Sequence, residues 1–126
     1  MLSLSEIEDF FKKAENKLIA SKGLYEMGQY STAVSTCYYA MFLCAKALLI
    51  NRDISTGKTH NGLMHKFNDE FVHKDNFNQE IYAYFASTQS LREEADYAAF
   101  DTITHIIAKK RIEQAEIFID ECKRFI

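Results

Sequence analysis

The sequence predicts an all-α protein, five helices with the two long N-terminal ones and the last forming a bundle core, and three observations carry that expectation. Residues 33–50, AVSTCYYAMFLCAKALLI, are apolar nearly all round, as a helix is when neighbours pack it on several sides. Proline is absent from all 126 residues, so helices can run long and must end by glycine, asparagine or cap chemistry. No stretch alternates apolar and polar residues long enough to propose a strand.

The first helix is expected over about residues 5–27. Ser5-Glu6-Ile7-Glu8 reads as a capping box, in which Ser5 accepts from a backbone N–H and Glu8 reaches back. Ile7, Phe10 or Phe11, Ala14, Leu18 and Tyr25 recur at helical spacing, and Gly28 is the stop. Residues 29–32 make a tight connection, with Ser31 or Thr32 as the N-cap of the central helix, which then folds back antiparallel. Asn51 ends it, and the polar residues 51–59, containing Gly57, form a loop. A third helix, residues 60–73, carries Leu63, Phe67 and Phe71 on one stripe. Residues 74–76 break the pattern. The fourth, residues 77–96, aligns Phe77, Ile81, Tyr84 or Phe85, Thr88, Leu91 and Ala95. Asp101 or Thr102 caps the last helix, with Ala108, Ile112, Ala115, Ile119, Cys122 and Ile126 as its stripe.

The totals narrow the class. A chain of 126 residues with 48% hydrophobic and 26% charged residues makes one domain that can bury a core without disulfides or a structural metal. The net charge of -3 argues against a strongly basic, sequence-independent nucleic-acid binder, though it leaves room for a local basic patch. Cys37, Cys44 and Cys122 are odd in number, lack C-x-x-C spacing and fall on apolar faces, as buried reduced thiols do. Residues 1–9 are acidic and lack the apolar core of a signal peptide. Ser35, Thr36 and Lys46 interrupt the central stretch, which falls short of the about 20 apolar residues of a membrane span. A cytoplasmic location with no membrane contact is expected.

Few residues offer chemistry. His60, His65, His73 and His105 show no metal-ligand spacing; His65 and Asp69 share a helix face, but two ligands do not make a site. No metal and no cofactor is expected. Residues 55–59, STGKT, resemble the end of a phosphate loop, yet its first glycine would fall at Arg52 and no buried strand precedes it. Lys58, Thr59 and His60 stand where a loop enters a helix, either as an anion-binding group or as an N-cap with solvated neighbours. Tyr38 and Tyr39 point about 100° apart on one helix, so one belongs to the core with a hydroxyl needing a partner and the other can face a subunit interface. In residues 91–97, LREEADY, Arg92 and Asp96 lie at i,i+4, either as a surface ion pair or with Arg92 as a phosphate contact. The run Lys109-Lys110-Arg111, flanked by Glu113 and Glu116, reads as a solvated face.

These residues carry a family resemblance. Ala33-Val34 and then Tyr38-Tyr39-Ala40-Met41-Phe42 on the second helix, Lys58-Thr59-His60 opening the third, and Leu91-Arg92 with Ala95-Asp96-Tyr97 closing the fourth together resemble a HEPN domain, of a compact prokaryotic subgroup. The resemblance implies an all-α up-and-down bundle, often a homodimer, and a nucleotide or RNA ligand. It also implies pairing with a minimal nucleotidyltransferase in toxin–antitoxin or abortive-infection modules. Active members are metal-independent ribonucleases in which an arginine is followed four to six residues later by a histidine. Here positions 97–99 hold Tyr97, Ala98 and Ala99. The resemblance therefore implies either a binding protein centred on Arg92, Lys58, Thr59 and His60 or a ribonuclease using a variant set of Arg92, Asp96 and Tyr97, with His60 in support. A third reading is a non-enzymatic dimerising module. Some family pairs silence the HEPN protein by nucleotidylating a tyrosine near the motif, a position that Tyr97 approximates.

Overall fold

The structure, a computed structural model, describes residues 3–126. Its helices are α1 (Leu4–Glu26), α2 (Tyr30–Asn51), α3 (His60–Phe67) continued by a π-helical turn (Asn68–His73), α4 (Gln79–Tyr97) and α5 (His105–Lys123). No strand occurs among the described residues. The expected five-helix, all-α architecture is the one found.

α1 starts two residues earlier than its capping box suggests. Ser3, not Ser5, is the N-cap: its hydroxyl oxygen accepts from the Glu6 amide and its proton reaches the Glu6 carboxylate at 3.0 Å. Both serines have cap chemistry, and with Ser3 in that role Ile7 and Phe11 face inward. Gly28, at φ 78°, closes α1 as expected, because only glycine takes this left-handed conformation without penalty. The Gln29 amide reaches back to the Leu24 carbonyl at 2.9 Å. This turn is so short that α2 begins at Tyr30, and neither Ser31 nor Thr32 caps it. Ser31 instead donates to the Asp101 carboxylate across the bundle end.

α2 is the centre. Ala33, Cys37, Tyr38, Ala40, Met41, Cys44, Ala45 and Leu49 have no exposed surface, and α1, α3, α4 and α5 all pack on this helix. At 22 residues it is long and apolar enough to cross a membrane by length and composition, but its neighbours cover it. The buried Ser21 hydroxyl donates to the Ala33 carbonyl at 2.6 Å and ties α1 to the start of α2. The three cysteines are free and buried, as expected. Burial pushes the Cys37 thiol up to about 12.

α3 is capped by Thr59, whose Oγ1 accepts from the Gly62 amide at 2.9 Å. Its turn then widens to the i→i+5 pattern at Asn68–His73, while Phe67 and Phe71 stay inward with rings stacked at 4.8 Å. Phe77 is buried but precedes α4, which begins after Asn78; the Asn78 side chain accepts from the Ile81 amide. The Asn78 amide donates to Glu121 Oε2 at 2.9 Å, so a buried carboxylate of α5 anchors the start of α4.

The last helix also starts later than expected. Thr104 caps α5, because the Asp101 carboxylate is already engaged by Ser31 and the Ile103 amide. Ile126 is half exposed and lies outside the apolar stripe. Arg111 is not on a solvated face: its guanidinium donates to Ser87 Oγ at 2.5 Å and Thr88 Oγ1 at 3.2 Å, linking α5 to α4.

Candidate functional site

Two sequence features that stand far apart in the chain meet on one tyrosine. Tyr38 lies on the face of α2 that α3 and α4 cover, and its side chain is fully buried. Its hydroxyl is 2.8 Å from Nδ1 of His60, the first residue of α3. From α4, Arg92 lays its guanidinium over the same ring, 5.0 Å from the centroid and 5.5 Å from that of Tyr39. Such cation–ring contacts hold an arginine plane while leaving its N–H edge available.

The helical period of α4 supplies the rest. Gln89, Arg92, Glu93 and Asp96 recur at i, i+3, i+4 and i+7, hence on one face. Arg92 Nε donates to Gln89 Oε1 at 3.1 Å and an outer nitrogen donates to Asp96 Oδ2 at 3.0 Å. Gln89 Nε2 in turn donates to Glu93 at 2.9 Å. Arg92 is only 15% exposed while Asp96 is about half exposed, so the pair has its guanidinium inside and its carboxylate at the surface. A guanidinium has five N–H donors; the two bonds to Gln89 and Asp96 leave others for a ligand.

His60 sits in an aromatic corner. Its ring stacks on Phe42 at 4.3 Å and meets Tyr39 edge-on at 5.8 Å. Partial burial, and then the charge of Arg92, lower its pKa from the usual 6.5, with Glu93 opposing. Burial and Arg92 thus favour the neutral imidazole. Burial pushes the Tyr38 phenol far above its ordinary range, so it keeps its proton.

The expected ligand group divides. Lys58, Thr59 and His60 line a cavity of about 290 Å³ with Phe42, Lys46 and Thr56. The Thr59 oxygen is occupied as the cap of α3, while Lys58 is exposed beside it. Asp96 is in contact with Arg92. Tyr97 is 91% exposed at the end of α4, its ring standing in solvent. The structure thus brings Arg92 and His60 onto Tyr38, with Asp96 on Arg92, and leaves Tyr97 outside. Gln89, Glu93 and Lys46 belong to the same neighbourhood and escape a reading of the sequence by motif. The i,i+3,i+4,i+7 spacing of polar residues on α4 is the signal that finds the first two.

The five-helix, all-α bundle is the architecture that the resemblance implies, and the chain belongs to the HEPN family. The family's HEPN domain description matches residues 7–125. Among similar proteins is one named "Putative toxin" from Methanocaldococcus jannaschii, 35% identical over 96% of this chain and 82% of its own length. A second protein of that organism with the same designation is 37% identical over 94% of this chain and 87% of its own. A UPF0332 protein of Archaeoglobus fulgidus is 34% identical over 98% and 97%.

Proposed function

We propose that this chain is a HEPN protein of the toxin–antitoxin type that binds RNA or a nucleotide at the Arg92 corner, as partner of a minimal nucleotidyltransferase. One observation carries the site: Arg92 and His60, from two helices, are both held on Tyr38, and His60 in turn lines a cavity with Lys46 and Lys58. Cations and neutral donors gathered beside aromatic rings suit a phosphate group and its base. The toxin designation of two relatives supports the biological setting.

The test is incubation of purified protein with labelled single-stranded RNA in EDTA, beside Arg92→Ala and His60→Ala. Retention of RNA by wild type and its loss in Arg92→Ala is the expected result. Equal binding by Arg92→Ala removes the site. Cleavage in EDTA that needs Arg92 would instead establish a variant ribonuclease.

A partner and a second copy need surface. Tyr97 and Phe100 at the α4–α5 connection, with Met27 and Ile106, are exposed apolar residues. The contacts of Ser31 with Asp101 and of Tyr30 with His105 place the two connections at one end of the bundle. That end is the surface we assign to the homodimer or the partner. The phenol of Tyr97 is open to nucleotide transfer by the partner, and mass spectrometry after co-expression should show the added nucleotide on Tyr97. An unmodified Tyr97 under those conditions removes this role.

The bonds from Arg92 to Gln89 and Asp96 favour a second, purely structural reading, in which this cluster stiffens α4 in a dimerising module. In that case Arg92→Ala lowers the melting temperature markedly and changes no RNA binding.

A further inference from the structure

A hydrogen bond between a phenol and an imidazole has a direction, and the surroundings of Tyr38 fix it. The Tyr38 side chain has no exposed surface, and its oxygen lies 2.8 Å from His60 Nδ1. The hydroxyl carries one proton and must place it. Were Nδ1 the donor, the phenol proton would be buried with no acceptor, an arrangement folded proteins avoid. Tyr38 therefore donates and Nδ1 accepts. A neutral imidazole carries a single N–H, so its proton is on Nε2. Protonation of the ring would put its second proton on Nδ1, which could then no longer accept from Tyr38, in line with the direction in which His60 is shifted.

We infer that Tyr38 fixes His60 as the Nε2–H tautomer, so that His60 meets a phosphate group as a hydrogen-bond donor beside Arg92 and does not offer the proton acceptor that strand cleavage needs. This rests on the reading that the corner binds RNA or a nucleotide. It also names the chemistry recognised: phosphate oxygens, which accept from Arg92, from His60 Nε2–H and from the lysines lining the cavity. Cleavage by attack of a 2′-hydroxyl requires a group that takes its proton. His60 in this tautomer has Nδ1 already committed. The groups around it are Tyr38, Tyr39 and Lys46 on α2, Lys58 before α3, and Arg92 and Glu93 on α4, with Asp96 on the far side of the Arg92 bond. Glu93 is bonded to Gln89 and Asp96 to Arg92. The missing motif histidine is thus not replaced by His60, although His60 stands close to Arg92.

The experiment is a long-range proton–nitrogen NMR spectrum of wild-type protein with ¹⁵N-labelled histidine at pH 7, with His60 assigned by comparison with His60→Asn. The expected spectrum shows an unprotonated Nδ1 and a protonated Nε2. Addition of inorganic phosphate, adenosine monophosphate or a short single-stranded RNA shifts the Nε2–H signal and leaves Nδ1 unprotonated. The three probes separate a bare phosphate from a nucleotide and from a strand. Tyr38→Phe is expected to lose the single tautomer and show both. A protonated Nδ1 in the free wild-type protein overturns the assignment, as does an unchanged single tautomer in Tyr38→Phe. A His60 signal that none of the probes moves overturns the phosphate role. The tautomer is read without ligand, so RNA binding that survives Arg92→Ala sinks the proposed function and not this assignment.

Discussion

Two aromatic clusters lie back to back in this bundle, and they differ in what their rings touch. In the first, Phe67, Phe71, Phe77, Phe85 and Phe118 are all buried and meet one another: Phe85 lies 4.9 Å from Phe118 and Phe77 5.5 Å from it. In the second, Tyr38, Tyr39 and Phe42 meet His60 and Arg92. Tyr38 joins the two, stacked on Phe85 at 5.6 Å. The rings pack at similar distances in both places. The closed cluster holds helices together by apolar burial, whereas the corner uses burial to hold polar groups in fixed positions at the protein's edge. A buried tyrosine with one hydrogen-bond partner is what converts the first kind of packing into the second.

The largest effects should separate the clusters by stability. Phe67→Ala empties a fully buried site touching Phe71, Phe77 and Phe85 and should cost ~3–5 kcal/mol in urea unfolding. Phe42→Ala, at a half-buried ring, should cost about 1–2 kcal/mol. Equal losses would erase the distinction between the clusters. Function should show the opposite ranking. Arg92→Lys keeps the charge but loses the planar fork over Tyr38 and Tyr39, and RNA affinity should drop roughly tenfold, ~1.4 kcal/mol. Titration with the same RNA at fixed salt measures it, and an unchanged affinity would mean that only charge matters at the corner.

The closed cluster was legible in the sequence except for Phe118, which the expected stripe of α5 omits, and the corner was half legible, for a physical reason. Helical periodicity is a local property, so Leu63, Phe67 and Phe71 declare one face of α3 without any knowledge of what it packs against. Caps are less local. Ser3 and Ser5, or Asp101 and Thr104, have equal cap chemistry, and tertiary partners decide which is used. Asp101 is engaged by Ser31 from 70 residues away. Arg92 and His60 each stand out as residue types, and Tyr38 as a hydroxyl needing a partner. Their meeting depends on how α3 and α4 are rotated about α2, which the spacing of one helix does not encode. The same rotation turns Arg111 from an expected solvated face onto Ser87 and Thr88.

A smaller effect tests the corner through pH. His60 has its folded pKa below the ordinary 6.5, so between those values the unfolded chain binds more protons than the folded one. Stability should then decline as pH falls from about 6.5 and level off once folded His60 is itself protonated. The chain has three other histidines, His65, His73 and His105. The decisive quantity is therefore the difference in slope between wild type and His60→Asn, read from urea midpoints across pH 5–7.5. Identical slopes would show that the corner does not hold His60 neutral.

The smallest change is the most discriminating about what Asp96 does. Its bond to Arg92 spans one helical turn, and Asp96 is about half exposed, so Asp96→Asn should cost only ~0.3–0.5 kcal/mol of stability. A carboxylate beside a phosphate site repels the ligand, and it competes for a guanidinium donor. Removing its charge should therefore tighten RNA binding modestly, with a shallower loss of affinity at high salt. If Asp96 were instead a working acid–base group of a ribonuclease, the same substitution would abolish cleavage and leave affinity little changed. Stability scarcely moves in either case, so the sign of the affinity change and the fate of any cleavage are read on equally folded proteins. A gain in affinity would mark Asp96 as a brace that holds Arg92 in place at some expense to the binding it supports.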